Sequence, residues 1–139
     1  MSMYGRDQAT WDRLCEAGLP FLIERARLER PTSYTELNTV LVRRTGTAGF
    51  DFERGDERAA MGYLLGLIVA RNRPTTGLMI SALVTYLDQN DAGPGFYTLA
   101  RQLGLLPRGA SSSAKFDFWL LQVKALYEYY SGVDIATRG

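Results

Sequence analysis

Residues 55–87 read GDERAAMGYLLGLIVARNRPTTGLMISALVTYL, and the fold turns on where the periodicity changes within them. In the first half Ala60, Tyr63, Leu64, Leu67 and Ile68 recur at three- and four-residue steps, the spacing that lays side chains along one stripe of a helix. Asp56 is placed to cap that helix, which is expected to run to about Asn72. Gly62 and Gly66 give it a flat side, against which another element is expected to pack closely. Arg73 to Gly77 then reads as a turn. Leu78 to Leu87 reads as a strand, apolar and β-branched along most of its length and so expected to be covered on both faces.

Upstream, residues 7–30 place Trp11, Leu14, Cys15, Leu22 and Ala26 on one side of a helix, while Gly18 and Pro20 predict a kink or two short helices. Pro31 closes that segment, and Ser33 or Thr35 caps a second helix through Leu37, Val40 and Leu41 that ends near Gly46. Ser33 followed by Glu36 fits the capping box, in which two side chains satisfy backbone donors reciprocally. Phe50 and Phe52, in the irregular loop beyond Gly46, are expected to fold back onto the core. Downstream, Gln89 to Gly95 is the strongest turn signal, and Phe96 to Gly104 a short helix with a glycine stop. A serine-rich joint at Ser111 to Ser113 leads into a final helix from about Ser113 to Ser131. It carries Phe116, Trp119, Leu120, Val123, Leu126, Tyr127 and Tyr130 on one broad face. The pattern predicts one domain over 1–139, of the α+β class and mostly helical. Its parts are an N-terminal helical segment at 7–30, a core with a small β-sheet at 33–106 and a C-terminal helix at 113–131, the terminal helices flanking the core.

A chain of 139 residues, 46% hydrophobic and 22% charged, suits a single core. It holds no apolar run of about 18 residues, so no membrane span is expected. The opening MSMYGRDQ has charge where a secretion signal needs apolar residues, which predicts a cytoplasmic protein. One cysteine, Cys15, and no histidine leave no internal disulfide, no zinc cluster and no imidazole base. We therefore expect a binding module and not an enzyme, with no catalytic residue, metal or cofactor. Asp51, Glu53, Asp56 and Glu57 are the one acidic cluster that could hold magnesium or transfer protons. A helix N-terminus, which favours negative charge by its dipole, explains them more simply. The net charge of +1 gives no whole-molecule field for a phosphate backbone, so any nucleic-acid face must be local.

In order along the chain, SYTELNTVL, ERAAMGYLLGLI, LMISALVTY and GPGF make the region from Ser33 to Phe96 similar to the DNA-binding domain of alkylguanine-DNA alkyltransferases and their alkyltransferase-like relatives. The resemblance implies a winged-helix-like core in which Arg58 takes the place of the arginine that intrudes into the base stack. Where that family has its reactive Pro-Cys-His-Arg motif this chain reads Met79 to Val84 without cysteine or histidine, so alkyl transfer is excluded. Tyr34 to Leu37, Gly62 to Gly66, Ser81 to Val84, Gly93 to Tyr97, and Phe118-Trp119 with Tyr127 also resemble small bacterial proteins encoded beside restriction and phage-defence genes. Together the two resemblances imply a DNA- or RNA-binding module in phage defence or gene regulation, and that is the function expected. Arg43, Arg44, Arg58, Arg71 and Arg73, at helix ends where phosphate contacts are easy, are its candidate contacts. The alternative is an adaptor or inhibitor that binds another protein, or a second copy of itself, through the aromatic C-terminal helix. No membrane partner is expected.

Overall fold

The computed structural model describes residues 2–86 and 92–138, with side chains as far as Ser131. Asp7 caps the first helix, α1 (Gln8–Arg27), its carboxylate accepting the Thr10 N–H at 2.8 Å. The apolar stripe read from the sequence is buried: Trp11, Leu14, Cys15, Leu22 and Ala26, with Gly18 and Phe21 among them. One unbroken helix runs through Pro20, where a kink or break was expected. An interior proline costs about 3 kcal/mol. Here Pro20 faces solvent while Gly18, Phe21 and Leu22 around it are fixed in the core, so packing overrides the local penalty. Gly18 marks a close crossing with the third helix, since a Cβ there would lie 2.9 Å from Ile68 Cδ1.

The chain then makes a short strand, β1 (Thr32–Ser33), and enters α2 (Tyr34–Thr45). Ser33 Oγ accepts the Glu36 N–H at 3.0 Å, the first half of the expected capping box. The second half differs, because the Glu36 carboxylate takes the buried Thr32 hydroxyl instead of returning to the Ser33 backbone. Gly46 ends α2 in the left-handed conformation, φ 72°, and its N–H bonds the Val42 carbonyl. Phe50 folds back into the core, as expected, and Phe52 is half-buried against it.

The third helix, α3 (Gly55–Thr76), begins earlier and ends later than the sequence suggested. Arg54 is the N-cap, and Asp56 sits in the first turn, where its carboxylate accepts two bonds from the Arg54 guanidinium at 3.1 and 2.6 Å. The helix continues through Pro74 to Gly77, whose φ of 73° closes it. Gly62 and Gly66 do not pack tightly: a Cβ on either would meet no atom within 4 Å.

The largest departure concerns Leu78 to Leu87. Met79 to Val84 are buried on every side, as the apolar run implied. Their backbone, however, forms a 3-10 turn (Ile80–Leu83), and only β2 (Val84–Thr85) is strand, pairing parallel with β1 in the register Thr32 to Val84 and Ser33 to Thr85. A continuous apolar run reports burial, not conformation. Side chains of the last helix take the place of a neighbouring strand. Trp119 Nε1 donates to the Ala82 carbonyl at 2.8 Å, and Gln122 Oε1 accepts the Met79 N–H at 2.8 Å.

Leu87 and the Gln89 to Asp91 part of the expected turn lie outside the described residues. Ala92 bridges Thr85 in antiparallel sense, Gly93 caps α4 (Pro94–Gln102), and Gly104 stops it with φ 75°. Ser111 caps α5 (Ser112–Arg138), its Oγ accepting the Ala114 N–H at 3.1 Å, so the serine run is the start of a helix and not merely a joint. Among the described residues five α-helices and a two-stranded sheet make the mostly helical α+β fold expected from the sequence. The buried side chains of the described residues form one cluster. First and last in sequence, α1 and α5 pack on each other, and α1 also contacts α2, α3 and the 3-10 turn, which puts the N-terminal helix at the centre of the molecule. Among the described residues no helix is long and apolar enough to cross a membrane.

Candidate functional site: an aromatic cavity edged by Arg58

The N-terminal ends of α2, α3 and α4 converge on a cavity of about 440 Å³. Tyr34, Phe52 and Tyr86 supply its aromatic walls, Arg58 its charge, and Gly62 and Gly95 an open floor. Tyr34 comes directly after the Ser33 cap, so the capping bond that starts α2 also fixes where this ring stands. Its ring centroid lies 5.1 Å from that of Tyr86 and 6.4 Å from that of Phe52, the latter edge-on at 78°. Burial, and secondarily the Tyr86 hydroxyl, push the Tyr34 hydroxyl up to about 12, so it stays protonated at neutral pH and can both donate and accept.

Gly93 allows the two tyrosines to approach. A Cβ there would lie 2.9 Å from Tyr86 Cε2 and 3.1 Å from the Tyr34 hydroxyl oxygen. The Phe52 carbonyl accepts a bond from Arg58 Nη1 at 2.6 Å, which holds the guanidinium at the rim. Arg58 is exposed and, among the described residues, makes no ion pair.

The five arginines singled out in the sequence do not share one face. Arg58 stands at the cavity. Arg43 and Arg44 are at the opposite end of α2 from Tyr34, about 14 Å along the helix. Arg44 pairs there with Glu24 at 3.1 Å and lies over the Phe21 ring. Arg71 pairs with Asp12 of α1 at 3.0 Å. Arg73 is half-buried in the last turns of α3, beside Leu99 of α4 and Leu103 just beyond that helix.

The acidic cluster is occupied with local structure. Asp51 Oδ1 accepts the Glu53 N–H at 3.1 Å, Asp56 holds Arg54, and Glu57 receives two bonds from Arg6 at 2.9 and 3.0 Å. Those bonds from Arg6 hold the Glu57 carboxyl below its usual range. Among the described residues no three Asp, Glu or Cys side chains are grouped to hold a metal ion. Cys15 is buried and its thiol pushed up by desolvation, which disfavours the thiolate that a nucleophile needs.

On α5 the aromatic face is largely used by the protein's own core. Trp119, Leu126 and Tyr130 are buried, the Tyr130 hydroxyl accepting from Asn72 Nδ2 at 2.8 Å. Phe116, at 38% exposure, and Leu121, at 66%, are the large apolar side chains that α5 leaves in solvent among the described residues.

Sequence reasoning reached Arg58 but not the aromatic walls of its cavity. The signals were Tyr34 directly after a cap and the Gly93-Pro94-Gly95 run, yet neither shows that segments 50 residues apart meet. Compared with protein-family models, curated proteins and solved structures, the chain matches none of them.

Proposed function

We propose that this chain is a non-enzymatic nucleic-acid-binding module that takes an unpaired base into the cavity at Tyr34 and holds the adjoining phosphate with Arg58. The observation that carries the reading is the convergence of three aromatic rings and a guanidinium that forms no ion pair among the described residues on a single cavity of about 440 Å³. That volume lies in the range of small-ligand sites, about 300–1,000 Å³. Flat rings stack on bases of any identity, and an arginine at the rim supplies the charge that a phosphate requires. A net charge of +1 fits local capture of this kind better than adhesion to duplex DNA by a broad basic face. The winged-helix-like docking of α3 and a setting in phage defence or gene regulation belong to the same proposal, and both rest on the sequence resemblances alone.

Titration of a fluorescently labelled oligothymidylate at two salt concentrations tests the reading. Removing one stacked base contact is worth about 1–3 kcal/mol, so Tyr34→Ala is expected to weaken binding roughly 5- to 150-fold. Arg58→Ala is expected to weaken it and to lower the salt dependence. Failure of single-stranded and duplex DNA and RNA alike to bind at micromolar protein would refute the proposal. A dimer mass by light scattering, lost on Phe116→Ser and Leu121→Ser substitution, would then favour the protein-partner alternative.

A further inference from the structure

The cavity at Tyr34 does not end at Gly62. It shares Gly62 and Gly95 with a second cavity of about 480 Å³, which shares Gly66 and Leu99 with a third of about 330 Å³ whose wall carries Arg73. The three make one groove between α3 and α4, floored by a stripe of α3. Sequence reading assigned Gly62 and Gly66 to tight packing. In the structure a Cβ at Gly62, Gly66 or Gly95 would meet no atom within 4 Å, so these positions keep a channel open.

Charge along the channel has one sign. Among the described residues its walls hold Arg58 at one end, Arg73 at the other and no acid, in a chain with 16 basic and 15 acidic residues. Neither arginine is in an ion pair among the described residues, whereas Arg6, Arg44, Arg54 and Arg71 each are. Arg73 Nε is moreover buried without a hydrogen-bond partner. An unopposed cation at each end complements a flexible polyanion that enters over the aromatic cavity and leaves past Arg73.

We infer that a single strand of nucleic acid lies along this groove, one base in the Tyr34 cavity and the backbone crossing Gly62 and Gly66 to reach Arg73; the inference rests on the reading proposed above. Arg58 and Arg73 are about 22 Å apart along α3 at 1.5 Å per residue. A stacked strand at about 3.4 Å per nucleotide covers that distance with roughly six or seven nucleotides, and a stretched strand with fewer.

Oligothymidylates of increasing length, from the dinucleotide upward, provide the test on the whole protein. Affinity is expected to rise to about six nucleotides, beyond the increase that extra registers of a short site would give, and then to level. With the hexamer, Arg73→Ala is expected to lower the salt slope by about 0.7, the value of one single-strand phosphate contact. Gly66→Leu fills the channel from a helical position where leucine is the better helix former, so its melting temperature checks the fold independently. It is expected to lower the ratio of hexamer to dinucleotide affinity at least 10-fold. A hexamer no tighter than the dinucleotide, or bound unchanged by a folded Gly66→Leu variant, overturns the groove and leaves the cavity reading standing. Binding of no oligonucleotide at any length overturns both.

Discussion

Gly93 shows how one residue serves the candidate site without touching a ligand. Its missing side chain lets Tyr34 and Tyr86 come together, and the added methyl of Gly93→Ala would stand 2.9 Å from Tyr86 Cε2. We expect Gly93→Ala to keep its circular dichroism spectrum and to bind oligothymidylate about 10-fold more weakly, the size of one disturbed stacking contact. Trp119 is the corresponding residue for the fold. Its indole N–H bonds the Ala82 carbonyl in a stretch of backbone with little sheet pairing. Trp119→Phe keeps an aromatic ring but leaves that carbonyl unsatisfied, which costs about 1–3 kcal/mol. Urea unfolding measures this, and a loss well under 1 kcal/mol would show that the carbonyl has another partner in solution.

Among the elements, α1 and the Ile80–Leu83 turn overrule their own local signals for the same reason. Pro20 should break a helix and the apolar run from Leu78 should extend as a strand, yet each lies in a segment whose buried side chains already have fixed places. The proline penalty in α1 is therefore still present in the folded state. Pro20 is exposed, so Pro20→Ala is expected to raise stability by about 1–3 kcal/mol and to increase the melting temperature. No change would mean that the backbone around residue 20 has relaxed enough to lose little by the missing N–H. In α3, Gly62 and Gly66 weaken the helix, and since nothing packs on them their service is to the groove surface.

At the scale of the molecule, the N-terminal segment is clamped to α3 by Arg6, which grips Glu57 and lies 4.2 Å above the Phe50 ring. Glu57 titrates below its ordinary value of 4.5 in the folded protein, so the pair's contribution is present above that pH and is lost as pH falls through the lowered value. The alkaline side has the opposite sign. Folded Tyr34 keeps its proton to about 12, against 10.0 for an ordinary tyrosine, so the unfolded chain releases its proton first and stability falls as pH rises from about 10 to 12. Unfolding followed over that range is expected to show the decline, at most about 1.4 kcal/mol per pH unit for one group, and Tyr34→Phe is expected to flatten it. An equal slope in the variant would assign the decline to other groups, such as Tyr127 and Tyr130, which burial also shifts upward. The sequence alone determined the fold class, a hydroxyl cap at Ser33 or Thr35, the Gly46 stop and the buried stripe of α1, because caps, glycines and helical periodicity act within a few residues of themselves. It also drew attention to Arg58. The tertiary structure alone decided that Leu78 to Leu83 is not strand, that Arg43, Arg44 and Arg71 stand away from Arg58, and that Tyr34, Phe52, Arg58 and Tyr86 line one cavity. Those outcomes depend on which distant segments share the core, and that is settled by packing and by paired backbone groups across the whole chain, not by any local run of residues.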